Sequence, residues 1–233
     1  MVIAIITARG GSKRIPRKNI RNFLGYPIIK YPIDAALNSG CFDEVMVSTE
    51  DQEIANISKS LGASVPFMRS KKTSGDHSTT EDVVEEVLLE YKKRLKNINL
   101  FCILYPTAPF VTPERIKESY KLFLNSGADS LVPVVRFSYP IQRAQRIDRR
   151  GKLKMIWPKY STTMSQDLPA TYHDAGQFYW MKTEPFFKQH DVFSKNTLPY
   201  EIPETEVQDI DNEEDWKLAE MKFRLFRNAR TKN

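Results

Sequence analysis

The sequence predicts an α/β fold: a mixed, mainly parallel, Rossmann-like sheet with helices on both faces and one protruding arm. Three observations predict it. Val2–Ile6 is a short, β-branched, continuously apolar run that opens into a glycine pair, the pattern of a strand buried on both faces. Similar runs recur at Glu44–Ser48, Leu100–Leu104 and Ser130–Val135, each preceded by a segment with helical spacing. That alternation is the βαβα pattern, and right-handed crossovers stack its helices on both faces. After Val135 the rhythm breaks, and the chain leaves the sheet.

Taken in order, the expected helices are Ile28–Leu37, Asp51–Leu61, Thr80–Leu95 and Pro113–Asn125. Between Arg136 and Gln166 lie Pro140, Gln142, Gln145 and the alternating run Lys152–Ile156, which predict a hairpin or arm outside the sheet, turned at Gly151. Gln177–Met181 is the last strand candidate. An irregular stretch with Pro185, Pro199 and Pro203 follows, then Glu206–Asp211, a helix from Asn212 to Phe226, and a frayed basic tail at Arg227–Asn233. Neither an internal repeat nor a low-complexity segment occurs, so residues 1–233 are expected to form one domain.

With 41% apolar residues in a chain of 233, there is enough material for a sheet covered by helices, which excludes intrinsic disorder as the main state. Thirty-five Lys and Arg against 29 Asp and Glu leave a surplus of +6, favouring anionic ligands without singling out nucleic acid. Lys71-Lys72, Lys92-Lys93-Arg94 and Arg227, Arg230 and Lys232 would be the phosphate track of a nucleic-acid-binding module, but they are scattered among acids, and that reading is set aside. Cys41 and Cys102 fit neither a disulfide framework nor a four-ligand zinc site, so a reducing compartment is expected. No apolar run reaches membrane-spanning length, and the N-terminus lacks the basic start of a signal peptide. The expected location is the cytoplasm, with no membrane partner.

The loop Thr7–Asn19 leaves the first strand at its carboxyl end, where open α/β sheets bind ligands. Gly10 and Gly11 allow backbone N–H groups to converge on phosphate oxygens. Around them stand Arg9, Lys13, Arg14, Arg17 and Lys18 without a carboxylate, a concentration of charge that a triphosphate would relieve. The loop is neither a Walker A sequence nor a G-x-G-x-x-G fingerprint. Read without phosphate, it is a solvated basic loop.

The stretch Ile3–Ile20 resembles the opening motif of the cytidylyltransferases that make CMP-activated nine-carbon keto-sugar acids, the CMP-sialic acid synthetases and their bacterial relatives. The resemblance covers most of the chain. It implies transfer of CMP from CTP to the C2 hydroxyl of a nonulosonic acid, with release of pyrophosphate and a requirement for Mg²⁺. It further implies that Arg9, Ser12 and Lys18 hold the triphosphate and that Asn19 faces the cytosine. Arg69 followed by Asp76-His77-Ser78-Thr79-Thr80 resembles the second nucleotide-contacting segment of the family, with Arg69, Ser78 and Thr80 near the base; the same threonines also read as a helix cap.

Leu104–Phe110 parallels the family's Leu-Gln-Pro-Thr-Ser-Pro-Leu segment beside the sugar and ribose. Tyr105 replaces the glutamine, so contacts to the sugar should differ from those made to sialic acid. The segment Gln166–Trp180 resembles the sugar-acid site, and its His173-Asp174-Ala175-Gly176-Gln177-Phe178-Tyr179-Trp180 form resembles the branch acting on pseudaminic acid. Tyr105, Gln166, Tyr172, His173, Asp174 and Gln177 are therefore the expected sugar contacts, with N-acetylneuraminic or legionaminic acid as alternative substrates. Arg143 and Arg146 are candidates for the sugar carboxylate. In the family, an arm comparable to residues 136–166 pairs two subunits, so a homodimer is implied, and a bacterial surface glycan or flagellum is the implied destination.

Asp209 and Asp211 are two residues apart on an expected strand end, which would put both carboxylates on one side. Two such groups repel unless a cation lies between them, and oxygen ligands with open water positions suit Mg²⁺. Alone, Asp-x-Asp is a weak signal that also reads as the cap of the last helix. In the family's position it is the expected metal site, with Asp211 joining Arg9 and Lys18 as the catalytic set.

Overall fold

The computed structural model describes residues 1–230. Its strands are β1 (Val2–Thr7), β2 (Asn22–Phe23), β3 (Tyr26–Pro27), β4 (Glu44–Ser48), β5 (Leu100–Leu104), β6 (Ser130–Arg136), β7 (Gln145–Ile147), β8 (Leu153–Met155), β9 (Tyr172–Asp174), β10 (Phe178–Lys182) and β11 (Thr197–Glu201). Its helices are α1 (Lys30–Ser39), α2 (Gln52–Ser60), α3 (Thr80–Lys93), α4 (Pro113–Ser126), α5 (Thr183–Gln189) and α6 (Glu213–Arg230).

Seven strands form one sheet in the order β11-β6-β10-β5-β1-β4, with β9 added beside β6. β4, β1 and β5 run parallel, as do β6 and β11, whereas β10 enters antiparallel between β5 and β6. The sheet is thus mixed and mainly parallel, as the sequence predicts. β9 and β10 share β6 as partner, interrupted at Ala175–Gln177, where Gly176 takes a φ of +59° that favours glycine. Pro133, with no N–H to give, sits in β6 at this interruption. Pro199 lies in β11, an edge strand, where proline is tolerated.

Capping residues set the helix starts. The Asp51 side chain accepts from the Glu53 and Ile54 N–H groups, Thr79 forms a capping box with Asp82, and Thr112 precedes Pro113 at the first helical position. α1 and α4 end at Gly40 and Gly127 in the left-handed conformation.

The core has two layers divided by the sheet. Ile33 of α1 and Ile116 and Phe123 of α4 pack with Ile6, Leu104, Phe178 and Trp180 on one face. Val84, Leu88 and Tyr91 of α3 and Phe186 of α5 pack with Ile5, Ile103, Tyr179 and Met181 on the other. A third cluster joins Ile15, Phe23, Phe110 and Ile210 to Trp216, Ala219 and Phe223 of α6. It seats the basic loop against the segment preceding α6.

Several expectations are corrected. The irregular stretch after β10 contains α5 and β11, because Pro185 falls in the first turn of a short helix, where it costs little. Residues 207–211 are not a strand but an extended connection. The last helix runs on through Arg227 to Arg230, so the expected basic tail is largely helical; its residues 231–233 lie outside the described part. The arm bears the β7–β8 hairpin, with Gly151 in its turn at a φ of +70°.

Candidate active site

A cleft of about 280 Å³ opens at the carboxyl ends of β1 and β5. Its walls come from four stretches far apart in sequence. Arg9, Ser12, Lys18 and Asn19 belong to the loop after β1, Arg69, Ser78 and Thr80 to the segment leading into α3, Tyr105 to the end of β5, and Asp211 to the approach to α6. Nine of the expected site residues are therefore brought together.

Packing explains the convergence. Ile15 and Ile210 share one buried cluster, which holds the basic loop beside the aspartate segment. Lys18 Nζ donates to the Ile210 carbonyl at 2.6 Å and lies 3.9 Å from an Asp211 carboxylate oxygen. Arg14 Nη2 donates to the same Asp211 oxygen at 2.7 Å. Burial lowers the Lys18 pKa from the ordinary lysine value; Asp211 and Asp209 oppose that shift, while Arg14 and Arg9 reinforce it. Asp209 keeps its side chain at the surface, yet the protein around it displaces enough water, with Asp211 adjacent, to raise its pKa. Of the expected aspartate pair, Asp211 lines the cleft and Asp209 does not.

Arg69 is buried as one wall of the cleft, its Nε donating to Ser48 Oγ at 3.1 Å and Nη2 to the Ser48 carbonyl at 2.5 Å. Burial lowers its pKa, and Glu50 and Glu86 counter that effect. Asn19 is also buried, and its Nδ2 donates to the Arg9 carbonyl at 2.8 Å, fixing the curve of the loop and leaving the amide oxygen as its acceptor. Asp76 crosses the cleft mouth and pairs with both Arg9 Nη1, at 3.2 Å, and Lys13 Nζ, at 2.5 Å. No feature of the sequence had singled out that aspartate as a partner for these cations.

The glycines and Arg17 act differently from the expectation. The Gly10 N–H donates to a Glu50 carboxylate oxygen at 2.7 Å, so it is not directed at a phosphate. A Cβ at Gly10 would stand 2.6 Å from Asp51 Oδ2; close approach to Asp51 explains the glycine. Neither Gly10 nor Gly11 lines the cleft. Arg17 turns away to Asp51 and Glu53, in a left-handed backbone conformation with a φ of +56°.

On the sugar side the expected residues disperse. The Asp174 carboxylate accepts from the Gly176 N–H at 3.0 Å and from the Tyr179 hydroxyl at 2.6 Å, and the Tyr179 ring meets Tyr105 edge-on at 5.5 Å between centroids. Burial, with Tyr105 and Asp174 nearby, pushes the Tyr179 hydroxyl far above its ordinary pKa, so it remains a donor. Tyr179 is the residue sequence reading missed: it is a buried ring of the last expected strand, but its hydroxyl reaches the Asp174 carboxylate. Gln177 is buried, its Nε2 donating to the Glu206 carbonyl at 2.6 Å while its Oε1 has no partner. Tyr172 and His173 are exposed on β9, with the His173 ring against Phe137. Gln166 lines a separate cavity of about 480 Å³ at the β6–β11 edge, together with Phe137 and Glu204. Arg143 and Arg146 lie on the arm and line neither cavity.

Comparisons with known proteins agree with this architecture. The cytidylyltransferase family model matches residues 3–230. A pseudaminic acid cytidylyltransferase of Campylobacter jejuni is 37% identical over 223 residues, covering 96% of each chain. A CMP-N,N'-diacetyllegionaminic acid synthase of Legionella pneumophila is 32% identical over 235 residues, covering 98% of each. The solved structure of a CMP:2-keto-3-deoxy-manno-octonic acid synthetase complexed with CTP superposes with a TM-score of 0.68 at 16% identity, covering 97% of this chain and 99% of that one. This likeness shows the shared fold.

Proposed function

The chain belongs to the cytidylyltransferase family, and from that premise we propose that it transfers CMP from CTP to the C2 hydroxyl of pseudaminic acid, releasing pyrophosphate. The observation that carries the proposal is the meeting of Arg9, Lys18 and Asp211 around one cleft, across the Ile15–Ile210 contact. Cations standing beside a carboxylate in one cleft suit a nucleotide whose phosphates the cations hold and whose metal ion the carboxylate would hold. No described helix is long and apolar enough to cross a membrane.

In this reading Arg9, Ser12 and Lys18 hold the phosphates, and Asn19, Arg69, Ser78 and Thr80 enclose the base. The sugar hydroxyl attacks the α-phosphorus in line, and negative charge grows on the departing pyrophosphate, where Arg9 and Lys18 stabilise it. The proton of the C2 hydroxyl passes to whichever carboxylate oxygen of the Asp209–Asp211 pair the cation would leave free. Tyr105 and Asp174 face the sugar, with Tyr172 and His173 beside Asp174 on β9 and Gln177 joined to Tyr105 through its backbone carbonyl, while Gln166 lines the separate cavity.

The pair Asp209 and Asp211 fits Mg²⁺. Both supply hard oxygen donors, and Asp209, whose pKa is raised first by burial and then by the charge of Asp211, would be relieved by a divalent cation. Among the described residues no group of three or more His, Cys, Asp or Glu is arranged to hold a metal, so the other ligand positions fall to phosphate oxygens and water. When bound, the ion would neutralise phosphate charge.

The arm supports a homodimer. Ile147 and Leu153 expose 74% and 64% of their surface on its hairpin, with Ile156 and Trp157 beside them, an apolar patch that a second copy would bury. Light scattering of the purified chain should give twice the mass of 27.0 kDa; a monomer at micromolar concentration would remove this part.

A substrate panel tests the assignment: each of four nucleoside triphosphates against pseudaminic, legionaminic and N-acetylneuraminic acids, with pyrophosphate as readout. CTP with pseudaminic acid should be fastest. Equal rates with another triphosphate, or none with any acid, would overturn it.

A further inference from the structure

The cationic loop is not left waiting for a ligand with its charges bare. Arg9 and Lys13 both line the cleft, and both are paired with one carboxylate, that of Asp76, at 3.2 and 2.5 Å. Asp76 stands on the 70–78 loop, which forms the opposite wall through Thr73, Gly75 and Ser78. Its side chain is half exposed, and its pKa is lowered by Lys13 first and by Arg9 as well. Two cations held around a single exposed anion are the arrangement a phosphate oxygen would adopt with them.

We propose that Asp76 is a built-in competitor of the triphosphate: its carboxylate neutralises Arg9 and Lys13 in the free protein and is exchanged for phosphate oxygens when a nucleotide binds. This rests on the assignment of Arg9 to the phosphates. The consequence is selectivity by charge. A ligand with several negative charges supplies more than the one carboxylate it displaces, so a triphosphate or pyrophosphate wins, whereas an uncharged nucleoside gains nothing from that exchange. After transfer, Asp76 can reclaim both cations and weaken the hold on the departing pyrophosphate.

The loop is built so that Asp76 can move without the rest. Glu86 on α3 anchors its base, accepting from the Ser70 N–H and hydroxyl at 2.7 Å each and from the Thr73 hydroxyl. At its other end the Ser78 hydroxyl donates to the Lys72 carbonyl at 3.2 Å and Thr79 is fixed by the capping box. Asp76 lies between these anchors, and its side-chain bonds are those to Arg9 and Lys13.

The test is calorimetric binding of CTP, inorganic pyrophosphate and cytidine to the whole chain and to Asp76→Asn, with and without Mg²⁺. Exposed ion pairs of this kind are individually weak, so removing both should tighten CTP and pyrophosphate roughly threefold to tenfold. Cytidine should bind within twofold of the parent. Asp76→Ser, the second neutral variant, should repeat the result, and Asp76→Glu should restore the parent affinities. Unchanged or weakened pyrophosphate binding in both neutral variants overturns the proposal; weakening confined to Mg²⁺ would make Asp76 a metal ligand instead, and an equal shift for cytidine would make the loop a structural support. If the parent chain binds no CTP at all, the fault lies with the assigned function rather than with Asp76.

Discussion

The two halves of the sheet's carboxyl edge are organised on different principles. On the β4–β1–β5 side, residues from four separated stretches converge on one narrow cleft, and each charged group there has a counter-charge or carbonyl within contact distance. On the β6–β9–β11 side, the residues expected to meet the sugar point in several directions, with Gln166 in a cavity of its own and Tyr172 and His173 in solvent. The difference teaches that one chain is sufficient to build a compact cationic cleft from loops at strand ends. The other side is open and carries the exposed arm with its apolar hairpin.

The largest effect that would sharpen this contrast belongs to Asp211. It is the acid shared by Arg14 and Lys18, so Asp211→Ala removes a carboxylate from the proposed metal pair and leaves the half-buried Lys18 ammonium without its main counter-charge. CTP-dependent pyrophosphate release should fall by roughly a thousandfold, the scale of losing a principal electrostatic group in a transition state. The helical content should be unchanged, because Asn212 and Asp215 supply the hydrogen bonds at the start of α6. Turnover within tenfold of the parent in saturating Mg²⁺ would take the carboxylates out of the chemistry.

A smaller effect is expected across the divide, at Asp174. Tyr179 and Gly176 each give this exposed carboxylate one hydrogen bond, so its remaining lone pairs are open to a sugar O–H or N–H in place of water. Asp174→Asn presents an amide donor to the same place. The KM for the sugar acid should rise about tenfold while the KM for CTP stays within twofold, a split that steady-state kinetics reads directly. If both constants rose together, the two sides would not be separate sites, and the contrast would fail.

How much of this was legible beforehand follows the same divide. The β1 run, the Thr79 cap and the cations of the loop are local signals, and each marks its element within two residues of where it lies. The closeness of Lys18 to Asp211 was readable only through family resemblance, because it depends on Ile15 and Ile210 meeting in a cluster no local pattern reveals. Asp76 was invisible for the same reason: an aspartate in a polar turn carries no mark of the two cations it meets 63 and 67 residues away. Tyr179 was hidden by the correctness of the strand pattern, since a buried ring looks like core until its hydroxyl is followed. β11 and α5 were obscured by prolines that an edge strand and a first helical turn tolerate.

The smallest expected effect tests whether the basic loop is one device or two. Arg17 belongs by sequence to the same cationic run as Arg9, but its guanidinium binds both Asp51 oxygens, at 2.5 and 3.0 Å, and reaches Glu53. That contact, together with burial opposing it and the helix N–H groups of Glu53 and Ile54 assisting, lowers the Asp51 pKa from 3.8 to about 2. A carboxylate with a depressed native pKa contributes stability that is present above its unfolded pKa and is lost as the pH falls through the native one. The window here is about pH 4 down to about pH 2, and the full contribution is on the order of 2 kcal/mol. Arg17→Gln leaves the helix cap in place and removes the ion pair, which is partly exposed, so it should cost about 1 kcal/mol in urea unfolding at pH 7 and flatten the loss of stability between pH 4 and 2. The kcat/KM for CTP should stay within twofold. A loss comparable with that of an Arg9 substitution would mean that the whole loop, and not its inward half alone, answers to the nucleotide.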